Sequence, residues 1–291
     1  MLKDSNANKI FLIVLVSILA ILFSMDFVWQ KRGKETRDEQ SYSLSASDSV
    51  KITTISNDIV LSVDEKAKEA SVSIGVNDRS SLKVEKRGNE LVVTVSPLAK
   101  GFLNFFGSPG SPLVVNIPKT MLDRLELQTT SGDILLMQDF TANTIKIKSI
   151  SGKVDILTLD ADEELSLSTI SGDISGYGAA SKGRLSLSST SGDVDINTME
   201  GKDIHVNLIS GDLDGALSIA ANGSLEASAV SGRLDLDLGK SENLAIVASR
   251  ISGSILFNGQ KQDSSPATAS TGNKQTEARL STVSGEIHLT F

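Results

Sequence analysis

LELQTTSGDILL, residues 125–136, alternates apolar and polar side chains up to Thr130, bends at Ser131-Gly132 and resumes its apolar character at Ile134. The Ser-Gly pair returns at Ser151-Gly152, Ser171-Gly172, Ser191-Gly192, Ser210-Gly211, Ser231-Gly232, Ser252-Gly253 and Ser284-Gly285, at intervals of 20, 20, 20, 19, 21, 21 and 32. A period held near 20 residues is the signature of a stacked repeat.

The flanks of each pair define the repeat. After the glycine come apolar-polar-apolar triplets such as Val154-Asp155-Ile156, Val194-Asp195-Ile196 and Ile287-His288-Leu289. Before the serine the same alternation appears in Ile145-Lys146-Ile147, Leu165-Ser166-Leu167 and Ile204-His205-Val206. Period two on both sides of a bend means short strands with one face buried, and glycine in mid-repeat opposes helix. A 20-residue repeat cannot bury its apolar face alone, so each coil is expected to stack on the last, one strand spacing of ~4.8 Å away. The expected fold is all-β, a parallel β-solenoid of ~20-residue coils. Glycine at the corner suits a positive φ, and the adjacent serine can bond local backbone. Ile55-Ser56-Asn57-Asp58-Ile59 reads as a degenerate first copy, with Asn57 tolerating the same backbone.

Composition narrows the function. The 291 residues are 40% hydrophobic and only 4% aromatic, with no cysteine, which removes disulfides and thiol chemistry. The formal charge of −8 makes nucleic acid an unsuitable partner. No residue pattern implies a cofactor.

Residues 10–29 read as a single transmembrane anchor after a short flank at 1–9: Ile10 to Met25 carry no charge, and Trp29 suits the interface beyond Asp26. A cleaved signal peptide is the competing reading, but no small-x-small cleavage site follows the apolar run. Lys31, Arg32, Lys34 and Arg37 after the span outnumber Lys3 and Lys9 before it, so charge alone leaves the orientation open. Residues 30–49 read as a tether, 50–118 as an irregular β region capping the solenoid, and 119–291 as the regular solenoid. Within the last, 259–277 has the Ser, Thr, Gln and Gly content of a disordered loop. Arg87-Gly88-Asn89 between apolar runs is a hairpin signal.

The strand ending NIPKTMLDRLELQTTSGDI (Asn116 to Ile134), followed by S-G-D-I and S-G-K-V coils, resembles the "putative adhesin" domain-of-unknown-function family of bacterial envelope proteins. The resemblance covers about residues 50–291. It implies a β-solenoid on the outer side of the membrane and a non-enzymatic binding or scaffold role. For the membrane-anchored members encoded with a Gram-positive envelope stress-response system, it implies a part in that response. Partners would be another envelope protein or a cell-wall component, and the family supplies no catalytic residues.

Three features carry candidate chemistry. The position after each glycine forms a column containing Asp173, Asp193 and Asp212, where stacked carboxylates could share a cation. Lys153 and Arg233 bracket that run, and the nonapeptide of calcium-binding β-rolls is absent. His205 and His288 fall on outward positions of different coils, and the Ser-Gly corners recur eight times, so neither supports a polysaccharide-cleaving site. Phe102, Phe105 and Phe106, between Gly101 and Gly107, form either a plug for the solenoid end or a tip that touches membrane or partner. A self-assembling polymer joined through solenoid ends is the alternative from a different functional class.

Overall fold

The computed structural model describes residues 37–45, 47–75, 80–97, 111–119, 122–239, 241, 243–273 and 275–291. The anchor at 10–29 and the Phe102, Phe105 and Phe106 loop lie outside the described residues. Those described contain no helix. They form β1 (Arg37–Ser43), β2 (Ser49–Thr54), β3 (Ile59–Asp64), β4 (Glu69–Gly75), β5 (Ser80–Arg87), β6 (Glu90–Pro97), β7 (Leu113–Pro118), β8 (Leu122–Thr129) and β9 (Ile134–Leu136). Then follow β10 (Phe140–Ser149), β11 (Val154–Thr169), β12 (Ile174–Ser189), β13 (Val194–Ser210), β14 (Leu213–Asp237), β15 (Leu244–Phe257), β16 (Gln260–Lys261), β17 (Ala267–Ser270) and β18 (Thr276–Thr290).

The middle of the chain is the regular solenoid that the repeat demands. β11, β12 and β13 stack in parallel at an offset of 20, Val154 on Ile174 on Val194 and Leu165 on Leu185, which falls to 19 between β12 and β13 past Ser181, where Leu185 lies on Ile204. Each coil has three runs of inward residues, in β11 Val154 and Ile156, Leu159 and Ala161, then Leu165, Leu167 and Thr169. Alternation breaks at Leu157-Thr158 and around Glu163, where the chain bends, and again at the Ser-Gly corner. The β13–β14 pairing absorbs the uneven intervals: one residue fewer at the first bend, and an outward bulge at Ala220 to Asn222 at the second, with Asn222 at φ 58°. The inward columns of Val, Leu and Ile are completely buried. At ~1.5–3 kcal/mol per side chain they outweigh the exposed ion pairs, such as Lys182 with Asp162, that decorate the outside.

At both ends the spatial order departs from the chain order. β2 and β3, the first coil, lie between β8/β9 on one side and β6/β7 on the other, all parallel. Chain that follows the first coil therefore forms the outermost rung. At the other end β18 inserts between β14 and β15. The 32-residue interval thus separates neighbours, with Gly285 between Gly232 and Gly253. Stacking of each coil on its predecessor holds only from β8 to β14.

Antiparallel strands then close both ends. β5 covers β6 through the hairpin expected at Arg87-Gly88-Asn89, β4 covers β7, and β1 covers β4. The segment read as a tether thus carries an edge strand, in which half-buried Gln40 and Tyr42 alternate with exposed Ser41 and Ser43, and half-buried Leu44 follows it. Its low apolar content concealed it. At the far end β16 and β17 fold back on β15. The stretch read as a disordered loop is therefore ordered: Ala267 is buried, and the Arg250 guanidinium donates to the carbonyls of Ser264 and Asp263 at 3.3 and 3.5 Å. Phe257 meets Phe291 edge to face, with centroids 5.6 Å apart, and fixes the last residue.

The corner glycines serve close approach more than unusual φ. A Cβ on Gly152 would stand 1.8 Å from the carbonyl oxygen of Gly132, and the same overlap recurs up the column at Gly172 and Gly192. Positive φ adds a second requirement only at Gly211, Gly232 and Gly253. Asn57 is not at positive φ; its Nδ2 donates to the Ser111 carbonyl at 2.9 Å. The residue three before the glycine ties the corner from within, while the adjacent Ser131 bonds across rungs, its Oγ donating to the Ile55 carbonyl at 3.0 Å. Ser189 Oγ donates to the Gly192 carbonyl at 2.6 Å, and Thr169 Oγ1 accepts from the Gly172 N–H at 2.9 Å.

Gly152→Ala should therefore destabilise at the upper end of single substitutions, on the order of 4 kcal/mol. Gly88→Ala, at φ 60° with open space around it, should cost only about 1 kcal/mol, the price of a left-handed residue. Urea unfolding of the two variants measures the contrast, and equal losses would remove the close-approach account.

Candidate functional site

Each corner exposes one residue immediately before its Ser-Gly pair. In spatial order the column is Ile55, Thr130, Ile150, Ile170, Thr190, Ile209, Val230, Val283 and Ile251. Every member is β-branched, which suits the extended, stacked backbone on either side. Among the described residues, seven of the eight large exposed hydrophobics stand in this column, 38% to 83% exposed, and the eighth is Tyr177. Nine rungs at ~4.8 Å make a straight aliphatic ridge of roughly 38 Å. A soluble surface normally scatters such residues singly, so their alignment is informative.

One flank of the ridge is acidic. Past the buried glycine, the first outward column holds Asp58, Asp133, Lys153, Asp173, Asp193, Asp212, Arg233, Glu286 and Ser254. The next outward column, two residues on, holds Asp155, Ser175, Asp195, Asp214, Asp235 and His288 in its middle rungs. Ten acids against two bases give this strip a net −8, matching the formal charge of the whole chain.

The first column has a structural task. Asp133 Oδ1 accepts the N–H of Lys153 at 2.8 Å, Asp173 that of Asp193 at 3.1 Å, Asp193 that of Asp212 at 2.9 Å and Asp212 that of Arg233 at 2.8 Å. Each carboxylate thus satisfies a corner N–H of the next rung that would otherwise lack a partner. Arg233 Nη2 also donates to Asp212 Oδ2 at 3.0 Å, and Lys153 Nζ lies 3.8 Å from Asp173 Oδ2. The three candidate cation ligands, Asp173, Asp193 and Asp212, are therefore brought into one ladder. Each already uses one oxygen on the backbone, and among the described residues no three His, Asp or Glu side chains gather as a metal-binding group.

The second column carries the electrostatic strain. Burial pushes the carboxyls of Asp155, Asp195 and Asp214 above the ordinary range, and Asp235 and Asp195 push Asp214 further. Asp195 Oδ1 is buried without a hydrogen-bond partner. His205 sits half-buried with Nδ1 3.6 Å from Glu226, and His288 lies between Asp235 and Glu286, on a different rung from His205. The two histidines do not converge.

On the other flank a column uncharged over six rungs runs through Ser168, Ser188, Asn207, Ser228, Ser281 and Ser249, with Lys148 on the rung before Ser168. The corner face is thus hydroxyl-rich on one side, aliphatic at its crest and acidic on the other. The ridge was missed by sequence reasoning, although its signal was one β-branched residue before every pair.

Because the folded pKa values of Asp155, Asp195 and Asp214 are raised, their protonated forms favour the folded state. The stability they contribute is complete below the unfolded value of 3.8 and is lost as pH rises through the folded values. These three groups therefore favour the folded state more as pH falls toward 3.8, so the melting temperature of the wild type relative to a triple Asp→Asn variant at these positions should rise over that window. A difference between the two proteins that stays constant or shrinks as pH falls over the same window would contradict it.

The Toastrack DUF4097 family model matches residues 37–290. Two solved structures share the fold. A "putative lipid binding protein" from Parabacteroides distasonis is 18% identical, covering 88% of this chain and 98% of its own, with a TM-score of 0.54. A "putative adhesin" from Bacteroides fragilis is 15% identical, covering 89% and 98%, with a TM-score of 0.53. No curated protein matches the chain.

Proposed function

The chain belongs to the Toastrack DUF4097 family, and on that footing we propose that it is a non-enzymatic binding module of the bacterial cell envelope. Residues 10–29 hold it as a single-pass protein with the solenoid on the outer side, where it offers its corner face to another envelope protein or a cell-wall component. The observation that carries this reading is the ridge, since seven large aliphatic residues aligned on one exposed column are the surface of a protein that docks. The names given to the two structural relatives, one an adhesin and one a lipid-binding protein, are names of binders and not of catalysts. The resemblance to anchored envelope proteins extends the proposal to the envelope stress response.

The end caps argue against the polymer alternative. Parallel growth from either end would have to displace antiparallel strands, and the outer strand β5 carries Lys83, Glu85, Lys86 and Arg87 along its edge.

Because the chain has no cysteine, Lys261→Cys in the exposed β16 is a unique probe. An impermeant maleimide should label it on intact cells expressing the full chain, and labelling only after lysis would sink the outer-face assignment. A photocrosslinking residue at Ile209 should give envelope adducts that the same residue at Glu226, away from the ridge, does not. Equal adducts at both positions would remove the ridge as the docking surface.

A further inference from the structure

We propose that the partner of the ridge is a polypeptide segment that is aliphatic on one side and basic on the other, laid along the corner face with its cations against the acidic strip. This names the partner class within the reading just given, and rests on it. The crest supplies apolar contact at Ile150, Ile170, Ile209 and Val230, and the adjoining strip concentrates a net −8 on the same side.

Charge complementarity selects the occupant. Anionic lipid or a polyanionic wall polymer would meet like charge all along the strip, whereas lysine and arginine find carboxylates one strand spacing apart. A second copy of this chain is also unsuitable. Antiparallel ridges bring two acidic strips together, and parallel ridges set each strip against the uncharged Ser and Asn flank, so in neither arrangement do the carboxylates meet cations. The ladder is ready for such a contact without rearrangement. The Oδ1 atoms of Asp173 and Asp193 are held by backbone N–H groups, which fixes the carboxylates while the side chains remain open to solvent. Ordering them costs a partner little.

The test uses the full chain in phosphatidylcholine nanodiscs, with empty discs as baseline. The probe is a labelled peptide of alternating Lys and Leu, about twelve residues long, which spans the ridge at ~3.3 Å per residue. Binding should be saturable and weaken with salt, and a Glu-Leu peptide should not bind. Combined Ile150→Ser, Ile170→Ser and Ile209→Ser should reduce affinity by about tenfold or more. Asp173→Asn with Asp193→Asn keeps an oxygen for the backbone N–H, and should weaken binding and flatten its salt dependence. Melting temperatures of the variants report whether the fold survives. If the triple variant melts early, protection of a single Ile170→Cys thiol by the peptide reads the same contact. Absence of peptide binding, equal binding of the Glu-Leu peptide, wild-type affinity in the variants or no thiol protection would each overturn the proposal. Capture of phosphatidylglycerol vesicles in place of the peptide would overturn it in favour of a lipid surface. Ridge-specific adducts in cells without peptide binding would retain the docking surface and remove only this partner class.

Discussion

The closeness of stacked backbones at the corner constrains everything else in this domain. Where Gly152 rides on Gly132, no room exists for even a methyl group, so the rungs can turn in register only if that position is bare. Once it is bare, the neighbouring positions acquire fixed duties. A hydroxyl three residues earlier ties the bend from inside. A carboxylate one residue later receives the N–H of the next rung from outside. Apolar columns then supply most of the burial, but it is the corner that sets which residues point inward at every rung.

The same geometry explains why so much of the molecule was legible. Strand, bend and inward face follow from period two nested in a period of 20, and Val154, Val194 and Ile287 are buried as that pattern requires. What was not legible depends on distances between rungs. Glycine at a bend suggests a left-handed backbone, yet Gly132 to Gly192 need none, because the obstacle is a carbonyl of the neighbouring rung, 20 positions earlier for Gly152, Gly172 and Gly192 and 75 earlier for Gly132. The spatial exchange of β15 and β18 left only an overlong interval between Ser252 and Ser284 as its trace. Likewise, β1 and β17 are held by pairing and by a few small or half-buried side chains, so their composition resembles that of a linker.

The candidate surface was hidden for a different reason. The aspartates after each glycine drew attention as a cation site, because stacked acids invite a counter-ion. Their hydrogen bonds show a backbone task that a single coil cannot display. The isoleucines and valines before most of the serines stand on the outward phase of the preceding strand, each beside an inward neighbour such as Ser149 or Thr169, so they add to the surface and not to the core. Strain and exposure thus sit side by side on one face: the carboxyls of Asp155, Asp195 and Asp214 are held above their ordinary range a few residues from an uncovered aliphatic crest. Stable stacking tolerates both, as binding surfaces commonly require.

Ordinary solenoids can fray, because the terminal repeats of the chain are also the terminal repeats of the stack. Here the first coil, β2 and β3, and the last, β18, are each clasped between two parallel neighbours. Neither of these coils can peel away without breaking ladders on two sides at once. The closing rung is β18, Thr276–Thr290, so β14 and β15 cannot be bridged until the chain has been made through that strand. The last of these strands in the sequence thus joins two that precede it, and a pairing between elements so far apart along the chain is the kind that forms slowly.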